Sequence, residues 1–414
     1  YHDSGNVLRN NIVRFQTSPQ KFSVAPTARM DFMELFDTYR AAPSHQIGAC
    51  SVEGEQLYVS VGDGAQTAQS QSLDSALGKI LRMTLDGKPV VKNPFFQEHN
   101  IDNIRNYIWA YGLRNPFGLD VREEEVFVAD NGLDIDRFIL AKEGTNYLWD
   151  GSDTSIGANA DAVFAPGRGV AHLVHYPKGS RILSDKFDNT VFMTRTGSPE
   201  VQREGFPAIW VVPYNTVDNK LSSVARPVVR FRGEQIQVLS ALDFGPDGLY
   251  FAPLLPNKQG LSGVYKITYD LLSSFPFTLE QESNAAVLMH TERCLACHAL
   301  DDNRRGGVGP ILDRDVLIPR ISDKLRSPEY ISLVNQLDKS EDQPFISFRD
   351  ARTEILQLEG IEQVRRWIYY RLIEPRFDDP NANMPNLGLS DSQARSIADY
   401  LTGFTEPTSG NPLP

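Results

Sequence analysis

Apolar residues recur along the first two thirds of the chain in short runs of one form, an aromatic set among aliphatic or β-branched neighbours. Leu57 to Asp63, Val126 to Gly132, Val191 to Gly197 and Leu249 to Pro253 are four such runs, and their aromatics Tyr58, Phe127, Phe192 and Tyr250 stand 69, 65 and 58 residues apart. At least three continue into a second strand, at Gly78 to Met83, Ala208 to Val212 and Gly263 to Ile267, with Asp-Gly turns at Asp86-Gly87 and Asp247-Gly248. Short strands punctuated in this way read as β-meanders. A β-sandwich would accommodate the strands but gives no reason for the period, whereas a β-propeller repeats one four-stranded sheet per blade. Residues 1–270 are therefore predicted to form a propeller. Asn11 to Phe15 reads as the last strand of a blade whose earlier strands would precede Tyr1. The ring is thus expected to be incomplete here, with an N-terminal segment omitted or another polypeptide completing it.

From residue 293 the period becomes helical. Ser390 with Gln393 forms a capping box, and Ala394, Ile397, Ala398 and Leu401 follow at helical spacing. Ile361, Val364, Ile368 and Leu372 mark a second amphipathic helix ended by Pro375, and Tyr330 to Leu337 a third. The segment around 313–355 reads as an insertion of unassigned role. Residues 271–292, with Ser273-Ser274-Phe275-Pro276, are expected to be a linker, 293–404 an all-α domain and 405–414 a flexible tail.

The chain has 414 residues and a formal net charge of −12, which argues against nucleic acid or an anionic membrane surface as a partner. No apolar run reaches the ~20 residues of a membrane span. Chemistry enters with Cys294-Leu295-Ala296-Cys297-His298. Two thiols one turn apart followed by an imidazole are the attachment pattern of one covalent haem c, with His298 on the iron. The alternative, half of a zinc site, needs two further thiol or imidazole ligands, and no cysteine or histidine follows His298. Beyond His298 there is one methionine, Met384, the candidate sixth ligand; a His/Met pair favours a relatively high potential. Met384-Pro385-Asn386-Leu387 ahead of a short C-terminal helix, and Gly309-Pro310-Ile311-Leu312, resemble the corresponding segments of class I cytochromes c. In that family a backbone carbonyl of the Gly-Pro segment orients the proximal imidazole. Haem attachment of this kind occurs outside the bacterial cytoplasm, so a periplasmic or otherwise exported protein is expected, although no signal peptide is visible in the sequence. The remaining cysteine, Cys50, is expected to be an inert core thiol.

Four further segments carry a second resemblance: Ser44-His45-Gln46 with Leu57 to Asp63; Gly78-Lys79-Ile80-Leu81-Arg82 with Asn93-Pro94-Phe95; Tyr111 to Leu119; and Gly144 to Trp149. In this order they resemble the soluble glucose/sorbosone (aldose sugar) dehydrogenases, six-bladed propellers that use pyrroloquinoline quinone (PQQ). The resemblance implies that His45 is the base that takes a substrate hydroxyl proton, that Asp63 tunes it, and that Gln46, Arg114 and Asn115 contact PQQ. It also implies that backbone carbonyls of Gly132 and Leu133 hold calcium. A carboxylate beside a histidine supports such a role, although His45 could be a loop residue, Arg114 a structural residue of a tight turn and Asp63 a turn acceptor. His172 and His175 are read as loop residues without a role.

The chain departs from this family in three places. No Arg-x-Arg pair precedes Gly245-Pro246-Asp247-Gly248, where Val238 to Asp243 stands instead, and Arg195 is a candidate substitute. Leu133 replaces a proline, and Arg137 an acidic residue. Two functions follow. One is a dehydrogenase that oxidises a sugar or other hydroxyl compound at PQQ and sends electrons through the haem to a respiratory acceptor or electron-acceptor protein. The other is an electron-transfer cytochrome whose propeller is a non-catalytic docking scaffold.

Overall fold

The computed structural model describes residues 5, 7, 9–19, 21, 23–32, 44–157, 160–164, 167–176, 178–196, 208–215, 220–221, 225–231, 237–256, 259–269, 285, 288–289, 294–300 and 309–404. Most of the expected linker and all of the expected tail lie outside these residues. The chain divides into two compact units, Tyr1–Glu280 and Gln281–Pro414.

In the first unit, successive strands pair with their chain neighbours in antiparallel sheets. The first sheet holds β3 (Ile47–Glu53), β4 (Gln56–Val61), β5 (Lys79–Thr84) and β6 (Ile108–Tyr111), and the second β7 (Pro116–Arg122), β8 (Glu125–Asn131), β9 (Asp136–Ala141) and β10 (Ala162–Phe164). The third holds β11 (Val170–Tyr176), β12 (Thr190–Arg195), β13 (Ala208–Asn215) and β15 (Arg226–Arg230), with short β14 (Lys220–Leu221) on the end of β13; the fourth holds β16 (Leu239–Gly245), β17 (Gly248–Pro253) and β18 (Tyr265–Ile267). The four aromatic runs are the second strands of the four sheets, β4, β8, β12 and β17. First strands pack on first strands, β3 on β7, β7 on β11 and β11 on β16. Meanders arrayed side by side about their inner strands are the arrangement of a β-propeller.

The runs are apolar on both strand faces because each blade is covered on both sides. Period-two alternation sends Leu57, Val59 and Val61 into a core with Leu81, Met83 and Ile108, while Tyr58 and Ile80 join Leu119, Val121 and Val128 of the next sheet. The expectation for Asn11 to Phe15 is corrected in its pairing: β1 (Val13–Thr17) is antiparallel to the strand that follows it, β2 (Pro26–Asp31), in a two-stranded sheet.

Two short helices interrupt the sheets, α1 (Thr67–Gln71) and α2 (Asp153–Ile156). In the second unit a 3₁₀ turn at Cys294–Ala296 precedes α3 (Arg314–Arg326), α4 (Pro328–Leu337), α5 (Arg349–Gln357), α6 (Gly360–Ile373) and α7 (Asp391–Thr402). Ser390 and Gln393 form the reciprocal capping box, and Ala394, Ile397, Ala398 and Leu401 are buried. On α6 the buried face is Val364, Ile368 and Leu372, while Ile361 in its first turn is 41% exposed. The segment 313–355 is helical and tied to this core. Tyr330 Oη and Trp367 Nε1 donate to the buried Asp378 carboxylate at 2.9 and 2.6 Å, Arg371 pairs with it, and Arg352 donates to the carbonyls of Phe377 and Phe345.

Candidate functional site

Each unit carries one candidate centre. In the propeller, His45 sits just ahead of β3 and Asp63 just past β4, so the β3–β4 hairpin brings them together across 18 positions. Gly62 permits the approach, since a Cβ there would lie 2.5 Å from the His45 carbonyl oxygen. His45 has φ 55°, an uncommon conformation for a non-glycine residue and of a kind that clusters at functional sites. Its Nδ1 lies 2.6 Å from Asp63 Oδ1. The side chain of Asp63 is 2% exposed and that of His45 17%. Burial alone would raise the Asp63 carboxyl, but donors from His45, from Trp149 Nε1 at 2.8 Å and from Ala65 N at 2.9 Å outweigh it and hold the carboxyl below its ordinary range.

Arg114 and Asn115 join this pair through the backbone, as Asp63 N donates to Arg114 O at 2.7 Å. Their own amides point at the Asp130 carboxylate, Asn115 N at 2.6 Å. Asp130 is ion-paired at 2.8 Å with Arg137, both side chains fully buried, and Arg137 also donates to the carbonyls of Tyr147 and Gly112. The residue found where the family tends to be acidic is therefore a structural cation behind the Arg-Asn turn. Arg114 Nη1 donates to Asn131 O at 2.8 Å, and its guanidinium lies 5.6 Å from the Trp149 ring centroid. Asn115 Oδ1 is buried without a hydrogen-bond partner, an orphan that a bound polar molecule would satisfy. Gln46 contributes its carbonyl to Gly62 N at 2.9 Å, and its side-chain amide reaches Ser44 O at 3.5 Å.

These residues fit a polar cofactor with carboxylates and carbonyl oxygens. The rest of the expected set is less favourable. Arg195 is buried, lies 4.6 and 5.6 Å from the Trp210 and Phe164 ring centroids, and faces Asp136; burial pushes its pKa down to about 10. It is enclosed by protein and does not replace the missing cations. Leu239 to Asp243 lie within β16, and Asp243 there pairs with Arg122 at 3.4 Å. For calcium, the Gly132–Leu133 turn offers two carbonyls against the six to eight oxygens the ion takes. The Asp136 carboxylate is occupied by the amides of Arg168 and Gly169. No group of three His, Cys, Asp or Glu able to hold a metal occurs among the described residues.

His172 and His175 lie on β11, not in loops. His175 is buried and stacks on Phe127 at 4.7 Å, and burial lowers its pKa to about 4, which keeps it neutral. Cys50 is also corrected. It is exposed, on the wall of a cavity of about 440 Å³ between the inner strands, with Asp120, Arg122 and His172 around it. The surrounding protein still raises its pKa, so the expected inertness has a physical basis.

In the helical unit, Cys297 N and His298 N both turn back to Cys294 O at 3.2 and 3.0 Å, which sets the two thiols on one turn. His298 Nδ1 lies 2.7 Å from Pro310 O, the backbone-carbonyl contact expected from the Gly-Pro segment. A Cβ on Gly309 would meet the His298 ring at 2.5 Å, so the close approach requires glycine. Met384 packs, partly buried, against the same core as Cys294 and Leu389. A backbone-carbonyl-to-imidazole contact and two thiols on one turn fit a covalent haem.

Trp149, Lys79 and Asp130 also support this site, although no local pattern in the sequence gives them a role. Lys79 is fully buried and donates to the carbonyls of Gln69, Ser70 and Leu77 at 3.0, 2.9 and 2.5 Å. A polar residue inside a predicted strand was the available signal.

Residues 2–165 match a family model described as Glucose / Sorbosone dehydrogenase. An aldose sugar dehydrogenase of Escherichia coli is 31% identical over 96 residues, covering 22% of this chain and 25% of the relative. An uncharacterised Synechocystis protein is 33% identical over 125 residues, covering 27% and 30%. The chain thus spans under a third of these curated relatives. A solved PQQ-bound aldose sugar dehydrogenase from Streptomyces coelicolor is 22% identical, covers 58% of this chain and 65% of its own, and superposes with a TM-score of 0.43.

Proposed function

We propose that the chain is an exported quinohaemoprotein that oxidises a sugar or other hydroxyl compound in the propeller and passes electrons through a haem c in the helical unit to an acceptor protein or respiratory complex. The observation that carries the oxidative half is the His45–Asp63 contact of 2.6 Å inside the segment matched by the sugar dehydrogenase family. With Nδ1 turned to Asp63, the other ring nitrogen is the atom that accepts a hydroxyl proton. Asp63 orients the ring and stabilises the imidazolium that forms. Arg114, Asn115 and Gln46 are the residues that would hold PQQ, which supplies the two-electron acceptor when bound. The haem half is supported by the Cys294–Cys297–His298 turn and the His298–Pro310 contact of 2.7 Å. Cys294 and Cys297 would attach the porphyrin, His298 and Met384 would supply its iron ligands, and the haem would serve as a one-electron carrier when bound.

The absence of a cationic pair at Val238 to Asp243 and the enclosure of Arg195 favour a second reading, in which the propeller is a scaffold beside a working cytochrome. Three carboxylates of PQQ would then lack charge-assisted donors beyond Arg114. Acid extraction of the purified protein separates the two. PQQ in proportion to covalent haem, with haem reduction on adding aldoses or alcohols, is expected. No PQQ, and none taken up with added calcium, would leave the scaffold reading.

A further inference from the structure

We infer that Trp149 is a positioning residue shared by both halves of the propeller site, its indole N–H fixing the carboxylate that holds His45 while its ring face carries the Arg114 guanidinium. The inference rests on the dehydrogenase reading for the purpose of the site, but its geometry needs no bound group.

An indole nitrogen donates and cannot accept, and an ionised carboxylate accepts and cannot donate. Trp149 is 3% exposed and Asp63 1%, so the 2.8 Å contact between Nε1 and Oδ2 satisfies two buried polar atoms at once. The other oxygen, Oδ1, takes His45 Nδ1 and Ala65 N. With both oxygens committed as acceptors, the proton of a neutral His45 belongs on Nδ1, which leaves Nε2 as the basic atom. The ionised carboxylate thus sets the tautomer, and the indole, by fixing Oδ2, holds Oδ1 in place against a ring the indole does not touch. Its other contact is with Arg114, whose Cζ lies 5.6 Å from the Trp149 ring centroid, within cation–π range.

Trp149 is held from behind. Its amide donates to Gly112 O at 3.0 Å, and its carbonyl accepts from Ser70 Oγ and Gln71 Nε2 at 3.2 and 3.1 Å. Ser70 and Gln71 belong to α1, and Lys79 Nζ gathers the Gln69 and Ser70 carbonyls of that helix together with the Leu77 carbonyl beyond it. Among the described residues, the charged groups tied to this pair include Arg114 on the indole face, Lys79 beyond α1, and the Asp130–Arg137 ion pair, which holds the Arg114 amide and the Gly112 carbonyl. A residue 86 positions from Asp63 thus links the histidine pair, the arginine and a buried lysine anchor.

The test uses the full-length protein with ¹⁵N-labelled histidine and no added quinone. In the wild type, His45 is expected as the Nδ1–H tautomer, and the Trp149 indole N–H resonance is expected to shift at the same acidic pH at which the His45–Asp63 pair breaks. Trp149→Phe keeps the ring face and removes the N–H. Its His45 signals should move toward a mixture of tautomers, and the acidic transition should shift to higher pH because the Asp63 anion has lost a donor. Unchanged tautomer and transition in Trp149→Phe would overturn the inference. Should that variant fail to fold, a wild-type indole resonance indifferent to the transition would overturn it equally. Neither result bears on whether PQQ is present, which the extraction decides separately.

Discussion

The two candidate centres are built on opposite plans. In the helical unit the candidate haem-attachment residues lie within five consecutive positions on one turn, and the carbonyl in contact with His298 Nδ1 follows 12 residues later. In the propeller the side chains come from the ends of different strands, and the bond between Asp63 and Trp149 spans 86 positions. A centre made by one turn stands or falls with its own few atoms. One made by a sheet array depends on buried supports such as Asp130, Arg137 and Lys79, so damage there should be graded and should reach the site from a distance.

The largest effect expected is all-or-none and local. In the double variant Cys294→Ser, Cys297→Ser, no haem should survive acid–acetone treatment of the protein, whereas the wild type keeps it. A wild type that releases all its haem, or holds none, would remove the cytochrome half of the proposal. The propeller counterpart is His45→Ala. Loss of a general base typically costs about 10²–10⁴ in rate, so substrate-driven haem reduction should fall by roughly that factor while haem content stays unchanged. Equal rates in variant and wild type would mean that the proton goes elsewhere.

Arg137→Ala tests the dispersed plan directly. It leaves the Asp130 carboxylate buried without its guanidinium, and breaking a buried pair in this way costs about 3–5 kcal/mol. The denaturant midpoint of the propeller should drop accordingly, with haem attachment intact. The same substitution should disorder the Arg114–Asn115 turn, since Asp130 accepts both of their amides. A loss below about 1 kcal/mol, the range of exposed pairs, would show that the pair is not the support its burial implies. Acid should act through Asp63 as well. Its folded pKa lies below the unfolded value, so the stability it contributes is present above the unfolded pKa and fades as pH falls through the folded one. Asp63→Asn should remove that part of the acid dependence.

The contrast in plan also decided what could be read without coordinates. The Cys294–His298 spacing, the Ser390–Gln393 box and the α6 face at Val364, Ile368 and Leu372 are all short-range features, and a periodic pattern encodes them directly. The four aromatic runs were legible because both faces of a blade are covered, which leaves continuous apolar strands. The inner strands that line the axis were not picked out by pattern, because polar residues such as Asp120, Arg122 and His172 break their periodicity. His45 and Asp63 drew notice through resemblance alone. Nothing local in Gly144 to Trp149 announces that its last residue will donate to a carboxylate brought beside it by the sheets.

The smallest effect tests whether the two units answer separately. Ser390 N donates to Gln393 Oε1 at 2.9 Å and Ser390 Oγ accepts from Gln393 N at 3.3 Å, so one pair of residues satisfies two of the backbone donors at the start of α7. Ser390→Ala removes one of these bonds and should cost about 1 kcal/mol, whereas Ser390→Gly, which keeps a permissive cap, should cost a few tenths. Because α7 buries Ala394, Ile397, Ala398 and Leu401 in the helical core, the loss should be seen in the helical unit's unfolding transition. The propeller transition should stay where it is. If Ser390→Ala displaced both transitions together, the units would be unfolding as one, and the division between a local centre and a dispersed one would no longer hold for stability.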